Sequence, residues 1–425
     1  MAQLAHRSRT FVCFDMRALS SATACLMIAA SASAQICPGD CDGDRVTTPA
    51  EFAAGVHAAF DPTVCTAADV DNDGTVTAAE LLRIRVALVS TPPGCLAAPT
   101  ATPTLSPAPT ATPTVAATPA SEWTTLPPLP RGPRQEIGVG ALDGRIYVLG
   151  GLTDTGAGSA RVEVYDPATN SWTNAAPLPE QRHHIGVATL GGALYSVGGF
   201  AGSSFSPTDD VYRFDPARNE WTAVASLPAP RGALAVVQMY GLLYAVGGST
   251  ASGSITDNTL YDPETNEWSF VTNLPTPRNH LAAVALNGYM YVIGGRADGG
   301  GNANTGELDR YDPIEDRWDV LTPMPTARSG HAAAVLDGRI VVMGGEVNPD
   351  NPPNGVFVEV EVYDPSADRW TTLDPMAVPR HGIGAVTVGD LIYVPGGATH
   401  AGFGATDHVD ALRINRPSNL LLPMP

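Results

Sequence analysis

Short apolar runs separated by turn residues repeat along the chain from residue 121 to residue 415. One run per repeat, such as RIYVL, ALYSV or YMYVI, stops at a glycine pair. These pairs fall at 150–151, 198–199, 247–248, 294–295, 344–345 and 396–397. A following run closes on an aromatic-Asp-Pro turn, as in VEVYDP and VYRFDP, and the next opens at a tryptophan. Runs of this length, rich in β-branched and aromatic residues and bounded by Gly, Pro and Asp, predict strands. Trp123, Trp172, Trp221, Trp268, Trp318 and Trp370 are spaced 49, 49, 47, 50 and 52 residues apart. Four strands at a period near fifty predict a propeller. A lone four-stranded sheet leaves both faces bare, whereas radial packing covers each face with the next blade.

The two ends of the repeat region complement each other. Trp123 has no three strands before it, and the last set, HGIGAVTVGD, LIYVPGG and DHVDALRIN, has no tryptophan strand after it. Five whole blades and one split blade make six, so the Trp123 strand is expected to close the ring. Leu412 stands where the other repeats carry Tyr or Phe. The glycine pairs, the Tyr-Asp-Pro turns and the spaced tryptophans resemble kelch repeats. The expected fold class is therefore an all-β six-bladed kelch propeller over residues 121–415, with 416–425 as an irregular tail.

An arginine begins each repeat: Arg134, Arg182, Arg231, Arg278, Arg328 and Arg380. One cation at a fixed place per blade is expected to bond carbonyls or carboxylates between blades. The residues beside it vary, with Gln135-Glu136, His183-His184, Gly232, Asn279-His280, Ser329 with His331, and His381. The loops after the glycine pairs vary too and carry Phe200, Arg296, Glu346, His400 and Phe403. Variation on a regular frame is where binding sites are built. The ligand-face candidates are His183, His184, Asn279, His280, Arg296, His331, Glu346 and His381. Such a set suits a carboxylate-rich or hydroxyl-rich ligand.

Residues before 121 read differently. His6, Arg7, Arg9 and Arg17 precede a small apolar stretch, and Ala32-Ser33-Ala34 offers a cleavage site, so 1–34 reads as a secretory signal. Residues 35–96 form a small module holding Cys37, Cys41, Cys65 and Cys95. An even count in an exported chain favours two disulfides, with three pairings open. Asp69, Asp71, Asp73, Gly74, Thr75, Thr77 and Glu80 fit a calcium loop of alternating oxygen donors, with glycine at the sharp turn. A second loop offers Asp40, Asp42, Asp44, Thr48 and Glu51, but Arg45 replaces its glycine. A helix is expected after each. The paired loop-helix units resemble an EF-hand-like dockerin, which implies calcium as cofactor and a cohesin-like or scaffold partner. Their Pro49-Ala50 and Ala78-Ala79 give no partner signature, and the cysteines depart from the usual dockerin. Residues 97–120 are almost wholly Ala, Thr and Pro and read as an extended linker.

Charge and composition narrow the function. A formal charge of −19 argues against nucleic acid or an anionic membrane as main partner. All 24 basic residues are arginine, which excludes lysine Schiff bases and a Walker lysine. No stretch is long and apolar enough to be a transmembrane helix. Galactose oxidase has a similar propeller but needs a cysteine cross-link at copper, and no cysteine follows Cys95. The leading expectation is a secreted, extracellular or surface-associated binding protein, non-enzymatic, with a glycan or protein ligand on the propeller face. A bacterial periplasmic location is an alternative. Two other functions stay open: a sugar-active enzyme resembling the sialic-acid mutarotases, and a structural scaffold.

Overall fold

The computed structural model describes residues 12–15, 23–26, 121–297, 303–350 and 354–414, and every regular element among them is a strand. Val12–Asp15 and Thr23–Leu26 pair antiparallel. The cysteine module, with the helices and the two calcium loops expected in it, the linker and the tail lie outside the described residues.

Six four-stranded antiparallel blades make up the propeller. Blade 1 consists of Gly138–Leu142, Arg145–Leu149, Val162–Asp166 and Ser171–Asn174, hydrogen-bonded in chain order. Blades 2 to 5 repeat that order, starting at Gly186, Ala235, Ala282 and Ala332. Blade 6 takes Val386–Val388, Leu391–Pro395 and Val409–Ile414 and is completed by Ser121–Thr125. The split blade is thus present. Trp123 faces Leu412 in the same register that Trp172 keeps with Tyr165.

Burial explains the strand types. The second strand of each blade is covered on both faces, so ALYSV and LLYAV are buried at every residue. The first strand alternates between buried and half-buried positions in blades 1, 2 and 5. Apolar packing lies in the gaps between blades. Tyr147, Leu149 and Val164 of blade 1 meet Leu194 and Phe214 of blade 2 in one cluster. The tryptophans add an outer set of cross-blade bonds, because a buried indole N–H needs an acceptor. Trp221, Trp268, Trp318 and Trp370 donate to the carbonyls of Ala176, Ala225, Thr272 and Thr322 of the preceding blade at 2.8–2.9 Å. Trp172 does the same to Pro127 at 2.9 Å. Trp123 alone among the six has its indole nitrogen buried without an acceptor.

The six arginines correct one expectation. Their guanidinium groups do not bridge blades; each is almost wholly buried inside its own. Arg380 donates to the carbonyl of Gly396 at 2.9 Å and to Asp410 at 2.8 Å. Arg134 pairs with Glu163, Arg182 with Asp210, Arg278 with Asp309 and Arg328 with Glu361. Arg231 instead donates to the Thr259 hydroxyl at 2.6 Å, and burial lowers its pKa to about 10. What crosses between blades is the arginine's own carbonyl. It accepts the N–H of the second glycine of the preceding pair, from Gly151 to Arg182 at 2.8 Å through to Gly397 to Arg134 at 2.8 Å. The close approach requires glycine: a Cβ on Gly150 would lie 2.3 Å from the Arg182 oxygen, and its φ is +60°.

Replacing Glu361 by Val should destabilise the propeller by about 3–5 kcal/mol, since it strands a buried guanidinium. Glu361→Thr should cost less than half of that, because Arg231 already rests on a threonine in the same place. Chemical denaturation of both variants checks this; equal losses would contradict it.

Candidate functional site

The two residues after each buried arginine build one mouth of the central channel. The first pairs with the residue after a glycine pair: Gln135 with Leu152, His183 with Phe200, Gly232 with Ser249, Asn279 with Arg296, Ser329 with Glu346 and His381 with Ala398. The second is Glu136, His184, Ala233, His280, Gly330 or Gly382, and all six have φ between +50° and +63°. Their backbones form a closed ring. Each N–H donates to the carbonyl of the preceding member, from His184 to Glu136 round to Glu136 to Gly382, at 2.8–3.0 Å. Four members are not glycine, and left-handed backbone costs such residues roughly 1–2 kcal/mol each. Strain of this kind held by its surroundings is typical of functional sites.

Side chains make a second circuit above that ring. The Glu136 carboxylate sits 3.2 Å from His184 Nε2 and 3.4 Å from His381 Nδ1. His381 Nδ1 is also 3.4 Å from Glu346, which pairs with Arg296 at 2.5 Å. Arg296 reaches His280 Nε2 at 3.0 Å, and the His280 and His184 rings meet edge-on at 4.9 Å. Gly382 leaves room for the carboxylate, because a Cβ there would lie 2.6 Å from Glu136 Oε1.

Donor and acceptor roles follow from the outer partners. His381 Nε2 faces the His400 carbonyl at 3.0 Å and donates to it, so a neutral His381 would turn a bare lone pair on two carboxylates. Burial pushes its pKa down, but Glu136 and Glu346 outweigh that and raise it. Burial likewise pushes Glu136 up, and His184 and His381 bring it below the usual carboxylate range. Burial raises Glu346 too, while His381 and Arg296 hold it low. Burial drives His184 and His280 well below the usual histidine value. The mouth therefore carries two carboxylates opposite Arg296 and His381.

One exposed aromatic touches this polar floor and a second stands on a loop bonded to it. Phe205 is 58% exposed and touches His183 and His184 edge-on. Phe403 is 56% exposed on a loop clamped by Gln135, which donates to Gly402 at 2.6 Å and accepts from Gly404 at 2.8 Å. Below them the mouth narrows to a cavity of about 90 Å³ lined by Glu136, His184 and His280 among others. That space takes a few waters or one ion, not a sugar ring.

Seven of the eight ligand-face candidates, His183, His184, Asn279, His280, Arg296, Glu346 and His381, lie together in this circuit or bonded directly to it. His331 stands one residue further along, where the other blades place Ile137, Ile185, Leu234, Leu281 and Ile383. It stands outside the circuit but lines the same cavity as Glu136, His184 and His280. Glu136 is the central acid and was not singled out by residue type. Its signal was positional, because it follows its arginine by two places, as His184 and His280 do. Phe205 carried no sequence signal beyond its place in a variable loop. The calcium-loop and cysteine candidates lie outside the described residues.

Comparison with known proteins places this frame. The sequence profile of the Attractin/LZTR1 beta-propeller matches residues 146–404, more than half of the chain. Kelch-like protein 40 of Mus musculus is 38% identical over 100 residues, 22% of this chain and 16% of that protein. Kelch-like protein 28 of Homo sapiens is 39% identical over 90 residues, 20% of this chain and 16% of that protein. The chain thus spans about a sixth of the length of these relatives. The solved structure of YjhT aligns with a TM-score of 0.55 at 19% identity, covering 67% of this chain and 96% of that one. That likeness is one of fold. Blades and relatives together make this a kelch propeller.

His331 gives the site a measurable pH dependence. Burial and then Arg328 lower its pKa from 6.5 to about 3. The unfolded chain binds the extra proton between those values, so stability falls as pH drops from 6.5 towards 3. At pH 5 the loss is about 2 kcal/mol. His331→Leu, which copies the other blades, should raise the melting temperature more at pH 5 than at pH 7.5. An equal change at both pH values would refute a buried neutral histidine.

Proposed function

The chain belongs to the Attractin/LZTR1 β-propeller family, and on that footing we propose that it is a binding protein whose channel mouth holds a protein or glycan ligand. One observation carries the reading: Phe205, more than half exposed, touches His183 and His184 of a floor of charged and hydrogen-bonding side chains, and Phe403, equally exposed, stands on a loop that Gln135 and Glu346 hold. Aromatic anchors beside polar groups of fixed direction favour a macromolecular surface or a sugar face. Arg296 and His381 favour acidic groups on that ligand. The export signal and the calcium module extend the proposal. The protein acts outside the cytoplasm, and residues 35–96 attach it to a scaffold or partner.

A second reading rests on Glu136. A carboxylate between two histidine nitrogens can relay a proton, which an enzyme interconverting sugar anomers needs. Glycan-array and protein-capture binding of the full chain separates the readings. Phe205→Ala with Phe403→Ala should abolish ligand retention at an unchanged melting temperature; retained binding would refute the mouth as the site. Anomer exchange of an acidic sugar, lost in Glu136→Gln, would instead establish the enzyme.

The calcium proposal has a separate check. A chelator should lower the melting temperature of the N-terminal module in the full chain and release calcium measurable by metal analysis. No shift and no released calcium would overturn it.

A further inference from the structure

The hydrogen bonds around His184 and His280 leave a pair of imidazole nitrogens with a common target. His183 Nε2 faces the Ser204 carbonyl at 2.8 Å and must donate to it. In neutral His183 the Nδ1 is then an acceptor, and His184 Nδ1 lies 2.5 Å away as its donor. His184 Nε2 is left with a bare lone pair, and that lone pair faces the Glu136 carboxylate at 3.2 Å. His280 repeats the pattern. Its Nδ1 donates to Asn279 Oδ1 at 2.5 Å, and Asn279 is itself fixed by donating to Ser254 at 2.6 Å. His280 Nε2 therefore also presents a lone pair. Glu136, His184 and His280 each bring one ligand atom to within 4.8 Å of the others.

Arg296 caps the His280 lone pair, but the His184 lone pair faces the Glu136 carboxylate directly, a repulsion that a cation between them would relieve. Imidazoles whose second N–H is held by an outer acceptor, which fixes the tautomer and aims Nε2, are the usual arrangement around a metal ion. We propose that Glu136, His184 and His280 form a binding site for one divalent transition-metal ion of the zinc class. Two nitrogens and one oxygen suit zinc or cobalt rather than calcium, which takes oxygen ligands. Zinc with three protein ligands keeps an open position for water or a ligand oxygen. All three side chains line the small cavity, which supplies that room. His381 Nδ1 lies outside this group, 3.4 Å from both Glu136 and Glu346.

Arg296 is the competitor. It donates to His280 Nε2 in the absence of an ion, yet Glu346 and Ser329 hold it equally well on its other side. Turning away from His280 costs it one hydrogen bond out of three. This site is independent of which macromolecule the mouth recognises.

The test uses the full chain stripped with chelator and titrated with cobalt(II) and zinc(II), read by visible absorption and by metal analysis. Wild type should bind one more equivalent than His184→Gln or Glu136→Gln, with a cobalt spectrum free of sulfur charge-transfer for that equivalent. Each variant should weaken the mouth site by at least roughly a hundredfold. Equal stoichiometry in wild type and variants would overturn the proposal. Should those variants fold poorly, Arg296→Gln decides: removing the competing donor should tighten cobalt binding by roughly tenfold. Unchanged or weaker binding in Arg296→Gln would overturn it too.

Discussion

One buried guanidinium per blade organises this propeller. A cation in a dry interior needs acceptors for its donors, and most of the terminal nitrogens find one, Arg278 leaving one of its own unmet. Arg380 meets that demand with four carbonyls and one carboxylate. The demand fixes the end of the second strand, the start of the third and the loop between them. With the guanidinium held inside its blade, the arginine's carbonyl is free to face the neighbour, where the glycine pair accepts no side chain. The same residue therefore stiffens one blade and fastens the one before it.

The mouth is a direct extension of that anchoring. Because each arginine is fixed, the next two residues occupy equivalent places in all six blades. Their backbones close a ring that does not depend on side-chain type. Freed from holding the fold together, the side chains at these positions can differ. Blade 3 leaves its place nearly bare with Ala233, and blades 5 and 6 use glycine. Blades 1, 2 and 4 place an acid and two histidines there, at the cost of left-handed strain. A regular frame thus supports an irregular, charge-balanced site.

Much of the frame was legible in the sequence, because close packing between blades restricts residue type. Only glycine fits beneath an arginine carbonyl, and only a large flat ring fills the outer gap, so both recur at the same spacing. The direction of the arginine bonds was not legible. A periodic cation says that partners exist, not on which side they lie, and the partner changes from Glu163 to Thr259 to Asp410. The site was half legible. Histidines beside the arginines drew notice by type, whereas Glu136 gains its role from Gly382, more than two hundred residues away in the chain, which leaves it space.

Blade 6 has a consequence for how the molecule is made. Thr125 and Asp410, paired in its last two strands, are 285 residues apart. The strand synthesised first in the propeller waits for the strand synthesised last. Until then the outer edge of the last blade is unpaired and the ring is open, and Trp123 contributes no cross-blade indole bond to hasten closure. A nascent chain can stack blades 1 to 5 locally as they emerge, but their circular order is completed in a single late, long-range step. Slow loop closure of this kind favours a chain that stays unfinished until released. Loss of even its final strand during synthesis would leave an open arc with two sticky edges in place of a shorter propeller.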